Sequence, residues 1–204
     1  MTAESMPSGD SAPLSWPVPP PGGYFAEDLD HLRDLPPHTQ LIDGSLVFVS
    51  PQMMFHLLLI RFFEWQLLGQ IPKEFAVIRE MTVTLGTRQR PEPDVMVVRA
   101  AACTGLDQTT FRPNDVVLAI EVVSPDSVER DRHRKPQLYA EAGIPHFWRV
   151  ENVDGRAVVY TYQLDPATGK YSTAGIHHGR MKVDLPFILD LDLARATDPK
   201  GSAD

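Results

Sequence analysis

The stretch AIEVVSPDSVERDRHRKPQLYAEAGIPHFW, residues 119–148, contains the features that decide the fold. It begins as an apolar, strand-like run that one carboxylate, Glu121, interrupts. A charged segment follows, and then a helix-like segment that carries Lys135 and Tyr139. Because an unpaired charge inside a buried strand is costly, Glu121 needs a partner. The first question is whether Lys135 belongs to the same site.

The strand in this stretch is predicted to lie at the centre of a sheet. NDVVLAIEVVS, residues 114–124, carries apolar residues at odd and even positions, which is typical of a strand buried on both faces. The helix after it is predicted to end near Gly143, because Pro145 blocks its continuation. The segment 147–175 has turn signals at Asp154-Gly155 and near 165–169, which indicate an antiparallel meander.

The residues before this stretch predict a hairpin and a long helix. The pair Asp43-Gly44 separates two apolar runs and favours a tight turn. QMMFHLLLIRFFEWQLLGQIP, residues 52–72, is mostly apolar and has no proline before Pro72, so it predicts the main core helix. The whole pattern predicts an α+β domain with a mixed, mostly antiparallel sheet core flanked by helices.

Length and composition predict one globular domain with tails. The chain has 204 residues, 43% of them hydrophobic and 23% charged, which suits a single domain with a substantial core. The first 23 residues are rich in proline, serine and glycine and are predicted to form a disordered tail. Residues 194–204 are predicted to form a second tail, which leaves residues 24–193 as the folded domain.

Charge and cysteine content restrict the function classes. The single cysteine, Cys103, excludes an intramolecular disulfide and a cysteine-based zinc site. No apolar run approaches the ~18 residues of a membrane span, and the N-terminus does not resemble a secretory signal, so we expect a cytoplasmic protein with no membrane partner. The net charge of -8 argues against broad electrostatic binding of nucleic acid, but a metal ion can neutralise an acidic site.

Three residues form a constellation that can carry chemistry. Asp94 opens a predicted strand after Pro93, Glu121 lies in the next long strand, and Lys135 follows 14 residues later. Carboxylates on neighbouring strands can bind a hard cation such as Mg²⁺, and a nearby lysine can position water or stabilise charge. This combination suits hydrolysis of a phosphodiester. In the structural alternative, Glu121 pairs with an arginine and Lys135 lies on a solvated surface.

The order of these elements resembles a known family. PDVMVV, LAIEVVSPDS and RDRHRKPQLYAEAGIPHFW resemble the Uma-type restriction endonucleases of the PD-(D/E)xK nuclease superfamily. LIDGSLVFVSP followed by His56 is similar to the N-terminal hairpin and helix of that family. The resemblance covers residues 24–193 and implies a restriction-endonuclease-like mixed sheet core with an N-terminal hairpin and a long core helix.

The resemblance also implies an activity and its residues. Asp94 matches the metal-binding aspartate of the superfamily, and Glu121 matches the carboxylate of its (D/E)xK element. Val123 occupies the usual lysine position, so the resemblance implies that the lysine has moved to the following helix as Lys135. The implied function is DNA cleavage by water that Mg²⁺ or Mn²⁺ activates, with a homodimer as a possible assembly. The alternative is a non-catalytic nucleic-acid-binding or protein-interaction domain that retains the nuclease fold.

Further residues are candidates for the cleft or for DNA contact. Gln40 stands where many relatives carry glutamate, and His56 is either a satisfied helix histidine or a cleft residue. Asp131 is as readily a helix cap as a site residue. Because proline is tolerated only in a first helical turn, Pro136 predicts a regular helix that starts near residues 132–135. The full set of candidates beyond the three catalytic residues is Gln40, His56, Arg130, Arg132, Arg134 and Tyr139.

Overall fold

A six-stranded mixed sheet forms the centre of the structure, which the computed structural model describes for residues 17–200. The strand order is β10-β9-β8-β7-β5-β3, and every neighbouring pair is antiparallel except β7 and β8. The α+β prediction with its mixed sheet is therefore confirmed. The elements are β1 Gln40–Ile42, β2 Ser45–Val47, α1 Met54–Leu68, β3 Phe75–Arg79, β4 Thr82–Val83, β5 Val95–Arg99, β6 Thr110–Phe111, β7 Val116–Val122, α2 Lys135–Glu141, β8 His146–Val153, β9 Arg156–Asp165, β10 Lys170–His178, β11 Arg180–Val183 and β12 Leu189–Asp192.

The two helices cover opposite faces of the sheet. Side chains alternate along a strand, so β7 sends Leu118 and Ile120 to the face that α1 covers and Ala119 to the face that α2 covers. Phe63 of α1 packs on the first face, and Tyr139 of α2 packs on the second. The continuous apolar run of β7 is therefore explained by burial on both faces. Glu121 has the parity of Ala119, so it points to the α2 face.

The predicted N-terminal hairpin is formed by β1 and β2. Both residues of its two-residue turn have positive φ, 53° at Asp43 and 75° at Gly44. This backbone is the one that matches the twist of the flanking strands, and glycine adopts it at little cost. The hairpin of β8 and β9 turns in the same way, with φ of 52° at Asp154 and 79° at Gly155.

A π-helical turn, Arg130–Arg134, leads directly into α2. The amide of Lys135 donates to the carbonyl oxygen of Arg130, five residues back. Pro136 has no amide hydrogen to donate, and the wider π-turn places it in the first turn of the regular helix. The regular helix starts at Lys135, inside the predicted interval, but the sequence did not predict the helical turn before it.

The C-terminal end of the described chain differs from the predicted boundary, and near the N-terminal end Ala26–Asp30 forms a 3-10 turn. Beyond residue 193, Ala196 is buried in the core, and Arg61 donates to the carbonyl oxygen of Asp198. The packed chain therefore extends past the predicted domain end. The rest of the predicted tails, residues 1–16 and 201–204, lies outside the described residues.

Neither helix among residues 17–200 is long and apolar enough to cross a bilayer.

The turn glycines provide a test of the hairpin geometry. A Cβ at Gly44 would overlap the Arg88 guanidinium, which donates to the carbonyl oxygens of Asp43 and Gly22. A Cβ at Gly155 has no described atom within 4 Å. We expect Gly155→Ala to cost about 1 kcal/mol from positive φ alone, and Gly44→Ala roughly 1 kcal/mol more, measured by urea denaturation. Equal costs would show that Arg88 contributes nothing to the turn.

Candidate active site

A cleft opens where β7 ends and α1 begins, and it gathers most of the predicted site residues. Asp94, Glu121 and Lys135 all line this cleft, and they come from three separate elements of the chain. Gln40, His56 and Arg130 line it too, as does the segment from Ser124 to Ser127 that follows β7. Three predicted catalytic residues that are distant in sequence are therefore brought to one place by the fold.

Asp94 is held beside Glu121 by the ladder of β5 and β7. Val95 pairs with Ile120, so the next position along this antiparallel ladder sets Asp94 opposite Glu121. One carboxylate oxygen of Asp94, Oδ2, accepts the amide of Val122 at 2.6 Å, and Oδ1 lies 3.2 Å from His56 Nε2. The Asp94 carboxylate thus accepts a β7 amide just beyond the last paired residues of the two strands, and this bond fixes it at the edge of the cleft.

Glu121 is completely buried, and both of its carboxylate oxygens have hydrogen-bond donors. Lys135 Nζ donates to Oε2 at 2.7 Å, and the Tyr139 hydroxyl donates to Oε1 at 2.5 Å. Residues four apart share a helix face, so α2 presents both donors to the same carboxylate. Glu121 is therefore tolerated in the central strand because α2 supplies two partners, and Lys135 does belong to the same site.

Lys135 is itself buried and has three oxygen neighbours. Besides Glu121, its Nζ donates to the backbone carbonyl of Glu92 at 3.2 Å and lies 3.5 Å from Asp131 Oδ1. Asp131 is also buried and lies four residues before Lys135 in the π-turn. The structural alternative, with Lys135 on a solvated surface and Glu121 paired with an arginine, does not describe this arrangement.

The cluster contains more negative than positive charge. Burial raises the pKa of Glu121 well above its usual range, and the charges of Asp131 and Asp94 add to the effect that Lys135 opposes. The pKa of Asp131 is raised, again chiefly by burial. Burial would lower the pKa of Lys135, but the three carboxylates outweigh burial and raise it. Burial is thus the main cause of the raised carboxylate pKa values, and the carboxylates that share the Lys135 ammonium add to it.

The donor set suits one hard divalent cation rather than a dedicated protein cage. Within residues 17–200, no three or more His, Cys, Asp or Glu side chains are arranged to hold a metal ion. Mg²⁺ is usually bound through one or two carboxylates, with water and substrate phosphate completing its coordination. Asp94 and Glu121 are two carboxylates that line the same cleft.

Two of the other candidate residues lie where they were predicted. Gln40 and His56 line the cleft, with Gln40 Oε1 accepting the amide of Glu92 at 3.1 Å. His56 is buried, and burial opposes the rise in its pKa that the carboxylate of Asp94 produces. His56 is thus both a satisfied helix histidine at Nε2 and a cleft residue.

Arg130 is the arginine of its segment that lines the cleft. No hydrogen bond or ion pair joins its guanidinium to another residue within 17–200. Arg132 and Arg134 do not line the cleft, and they pair with Glu151 and Asp43 respectively. A cleft position of Arg132 and Arg134 is therefore not found in the described arrangement, and contact of either residue with DNA stays a prediction.

Tyr139 also differs from its predicted position. Its ring is fully buried between α2 and the sheet, and it reaches the site only through Glu121. Tyr139 was predicted as a possible cleft or DNA contact, and in the described arrangement its ring neither lines the cleft nor reaches the surface. Burial and the neighbouring Glu121 charge raise the pKa of its hydroxyl well above the usual range, which keeps it a hydrogen-bond donor.

Asp131 is the site residue that the sequence left undecided. It lies inside the helical segment rather than at its N-cap, and its amide donates to the carbonyl of Ser127 at 2.8 Å. The spacing Asp-x-x-x-Lys-x-x-x-Tyr contained the signal, because on one helix it places Asp131, Lys135 and Tyr139 on one face.

Comparisons with known proteins agree with this architecture, which belongs to the class of nuclease-like α+β folds. The solved structure of "a putative nuclease belonging to DUF820" from Anabaena variabilis ATCC 29413 superimposes with a TM-score of 0.66. The match covers 84% of this chain and 96% of that chain at 16% sequence identity, so it shows the fold alone. None of the curated proteins matches the chain significantly.

The family follows from the sequence itself. The profile of the Uma2 family, described as "Putative restriction endonuclease", matches residues 26–196. The chain therefore belongs to this family, and the resemblance drawn from the motifs is confirmed.

The buried charge cluster generates a prediction about pH. Lys135→Met removes the ammonium that opposes the raised pKa of Glu121. Glu121 in the folded protein then keeps its proton at pH values at which Glu121 in the unfolded chain has already released it. Stability then falls with rising pH by about 1.4 kcal/mol per unit, over a window that extends to higher pH than in the parent. Urea denaturation from pH 5 to pH 8 should show the deficit of Lys135→Met growing. A Glu121→Gln/Lys135→Met protein should lack this growth; a pH-independent deficit would contradict the account.

Proposed function

We propose that this chain is a metal-dependent endonuclease that hydrolyses DNA phosphodiester bonds by direct attack of water. The observation that carries the proposal is the meeting of Asp94, Glu121 and Lys135 in one cleft, with Lys135 Nζ 2.7 Å from Glu121. The match to a family described as "Putative restriction endonuclease" supports the same reaction. A cytoplasmic location and a homodimer stay predictions that go with this proposal.

Asp94 and Glu121 are the residues that would hold Mg²⁺ or Mn²⁺. A bound divalent ion would supply Lewis-acid stabilisation and lower the pKa of a coordinated water. The chain contributes the placement of the two carboxylates, since the Val122 amide and His56 fix Asp94 from two sides. Tyr139 of α2 holds Glu121 in place, because its hydroxyl donates a hydrogen bond to the Glu121 carboxylate.

Lys135 acts in this proposal as a protonated group. Its pKa is raised by the surrounding carboxylates, so the ammonium neither gives up its proton readily nor serves as a base. A fixed ammonium at the cleft instead orients the attacking water and stabilises the negative charge that develops on the phosphate. Arginine at this position is a poor substitute, because the planar guanidinium does not fit the space of an ammonium.

Arg130 is the cation available for a phosphate outside the reacting centre. It lines the cleft and is only partly buried, whereas Arg132 and Arg134 are paired with acidic side chains. Phosphate contacts position a nucleic acid without reading its sequence. With a net charge of -8, the chain depends on such local contacts rather than on a broad basic surface.

One observation favours the alternative, a non-catalytic domain that retains the fold. Both oxygens of Glu121 already accept hydrogen bonds, and its side chain is 1% exposed. A buried and fully satisfied ion pair can be purely structural. Activity measurements on substituted proteins separate the two functions.

Cleavage assays test the proposed reaction. The parent protein should convert supercoiled plasmid to nicked or linear DNA with Mg²⁺ or Mn²⁺, and EDTA should stop the reaction. Asp94→Asn and Lys135→Ala should each lower the rate at least about 100-fold, because each removes a group that acts on the transition state. Lys135→Arg should not restore it.

Lys182→Ala is the matched control for Lys135→Ala, since Lys182 lies in β11 with its side chain 71% exposed. It should cleave like the parent. Parent-like cleavage by Lys135→Ala would remove this lysine from the mechanism, and metal-independent binding without cleavage by the parent would support the non-catalytic alternative.

Three arginines of one segment allow a matched test of DNA contact. Arg130→Gln should weaken binding of a labelled duplex and reduce the slope of log K against log salt by about 1, because one phosphate contact is lost. Arg132→Gln and Arg134→Gln should have smaller effects, since their partners are Glu151 and Asp43. Fluorescence anisotropy with Ca²⁺ in place of Mg²⁺ measures the affinities. Equal effects at all three positions would rule out a specific role for Arg130.

A further inference from the structure

Asp131 has an unmet capacity to accept a hydrogen bond. Its side chain is 3% exposed, it lines the cleft, and its Oδ1 has no hydrogen-bond donor within residues 17–200. A buried carboxylate oxygen without a donor is unfavourable. The nearest cation is Lys135 Nζ at 3.5 Å, which is too far for a good hydrogen bond. Asp131 Oδ1 can therefore accept a hydrogen bond from a donor that moves toward it.

Lys135 serves its two buried carboxylate neighbours unequally. In this arrangement its Nζ is 2.7 Å from Glu121 Oε2 and 3.5 Å from Asp131 Oδ1. A divalent cation that binds Glu121 repels the ammonium at this distance, because like charges in a buried site interact strongly. The backbone carbonyl of Glu92, 3.2 Å from Nζ, is a further acceptor that would stay in place if the ammonium moved.

We propose that Asp131 is a positioning residue that receives the Lys135 ammonium when a divalent cation occupies Glu121. The inference rests on the proposed function, since it requires a cation at Asp94 and Glu121. A displacement of under about 1 Å would bring Lys135 Nζ within hydrogen-bond distance of Asp131 Oδ1. The flexible lysine stem allows this, and the α2 backbone can stay in place.

The exchange connects cation binding with the position of the lysine. Before the cation binds, Lys135 neutralises Glu121. After the cation binds, Lys135 neutralises Asp131 and stays in the cleft beside both Glu121 and Asp131. Without Asp131, the lysine has no second carboxylate and competes with the cation for Glu121. Asp131 therefore favours cation binding through Lys135 rather than by coordinating the ion.

A double-mutant cycle on Mn²⁺ affinity tests this coupling without any cleavage. Mn²⁺ alone is titrated into the parent, Asp131→Asn, Lys135→Met and the double variant by calorimetry at pH 8, with no DNA present. We expect Asp131→Asn to weaken binding about 10-fold, because Lys135 then keeps Glu121. In the Lys135→Met background the same change should alter affinity by less than about 3-fold.

Conservative variants separate positioning from structural roles. Asp131→Glu retains a carboxylate and should bind Mn²⁺ within about 3-fold of the parent, because the ammonium still finds an acceptor. If Asp131→Asn does not fold, as judged by its melting curve, Asp131→Ser takes its place in the cycle. The smaller side chain removes the carboxylate without requiring the same volume.

Each other outcome overturns the proposal. An equal or larger loss in the Lys135→Met background makes Asp131 a direct ligand or a simple charge. Unchanged affinity in both backgrounds shows that the lysine does not use Asp131. A parent protein that binds no Mn²⁺ overturns the proposed function as well, whereas parent binding with no coupling overturns the Asp131 inference alone.

Discussion

The burial of Glu121 in the central strand is the constraint on which the rest of the site depends. A carboxylate with no exposed surface requires donors, and among residues 17–200 both come from the helix that crosses from β7 to β8. The parallel pairing of β7 and β8 needs a crossover, and α2 is that crossover. The same helix therefore connects the two parallel strands and supplies the donors of the polar cluster. A change at Glu121 should affect both the packing of α2 and the polar cluster.

Local spacing made much of this arrangement predictable. Asp43-Gly44 has the turn chemistry of a hairpin, and the apolar run of β7 indicated burial on both faces. Lys135 and Tyr139 are four residues apart, and this spacing alone places them on one face of a helix. These features depend on residues close in sequence, so a single sequence contains the information.

The features that the sequence did not predict depend on contacts across the fold. Arg132 and Arg134 were indistinguishable from Arg130 as a charge run, and only their partners on β8 and the hairpin turn separate them. The π-turn lies directly before Pro136 and before the two side chains that reach Glu121, and no local pattern indicated it. The oxygen atoms that Lys135 shares come from three separate segments, and no local pattern contains their distances.

The charge balance argues against a purely structural role for the cluster. A buried ion pair can often be replaced by apolar residues with no loss of stability, so it is weak evidence of a need for stability. Here three carboxylates surround one lysine; burial is the largest cause of the raised pKa values of Glu121 and Asp131, and the neighbouring carboxylates add to it. Asp94 meets the open cleft with its side chain 17% exposed. A surplus of buried negative charge beside solvent is understandable if the site is built to receive a further cation, which would turn the unfavourable charge into binding energy.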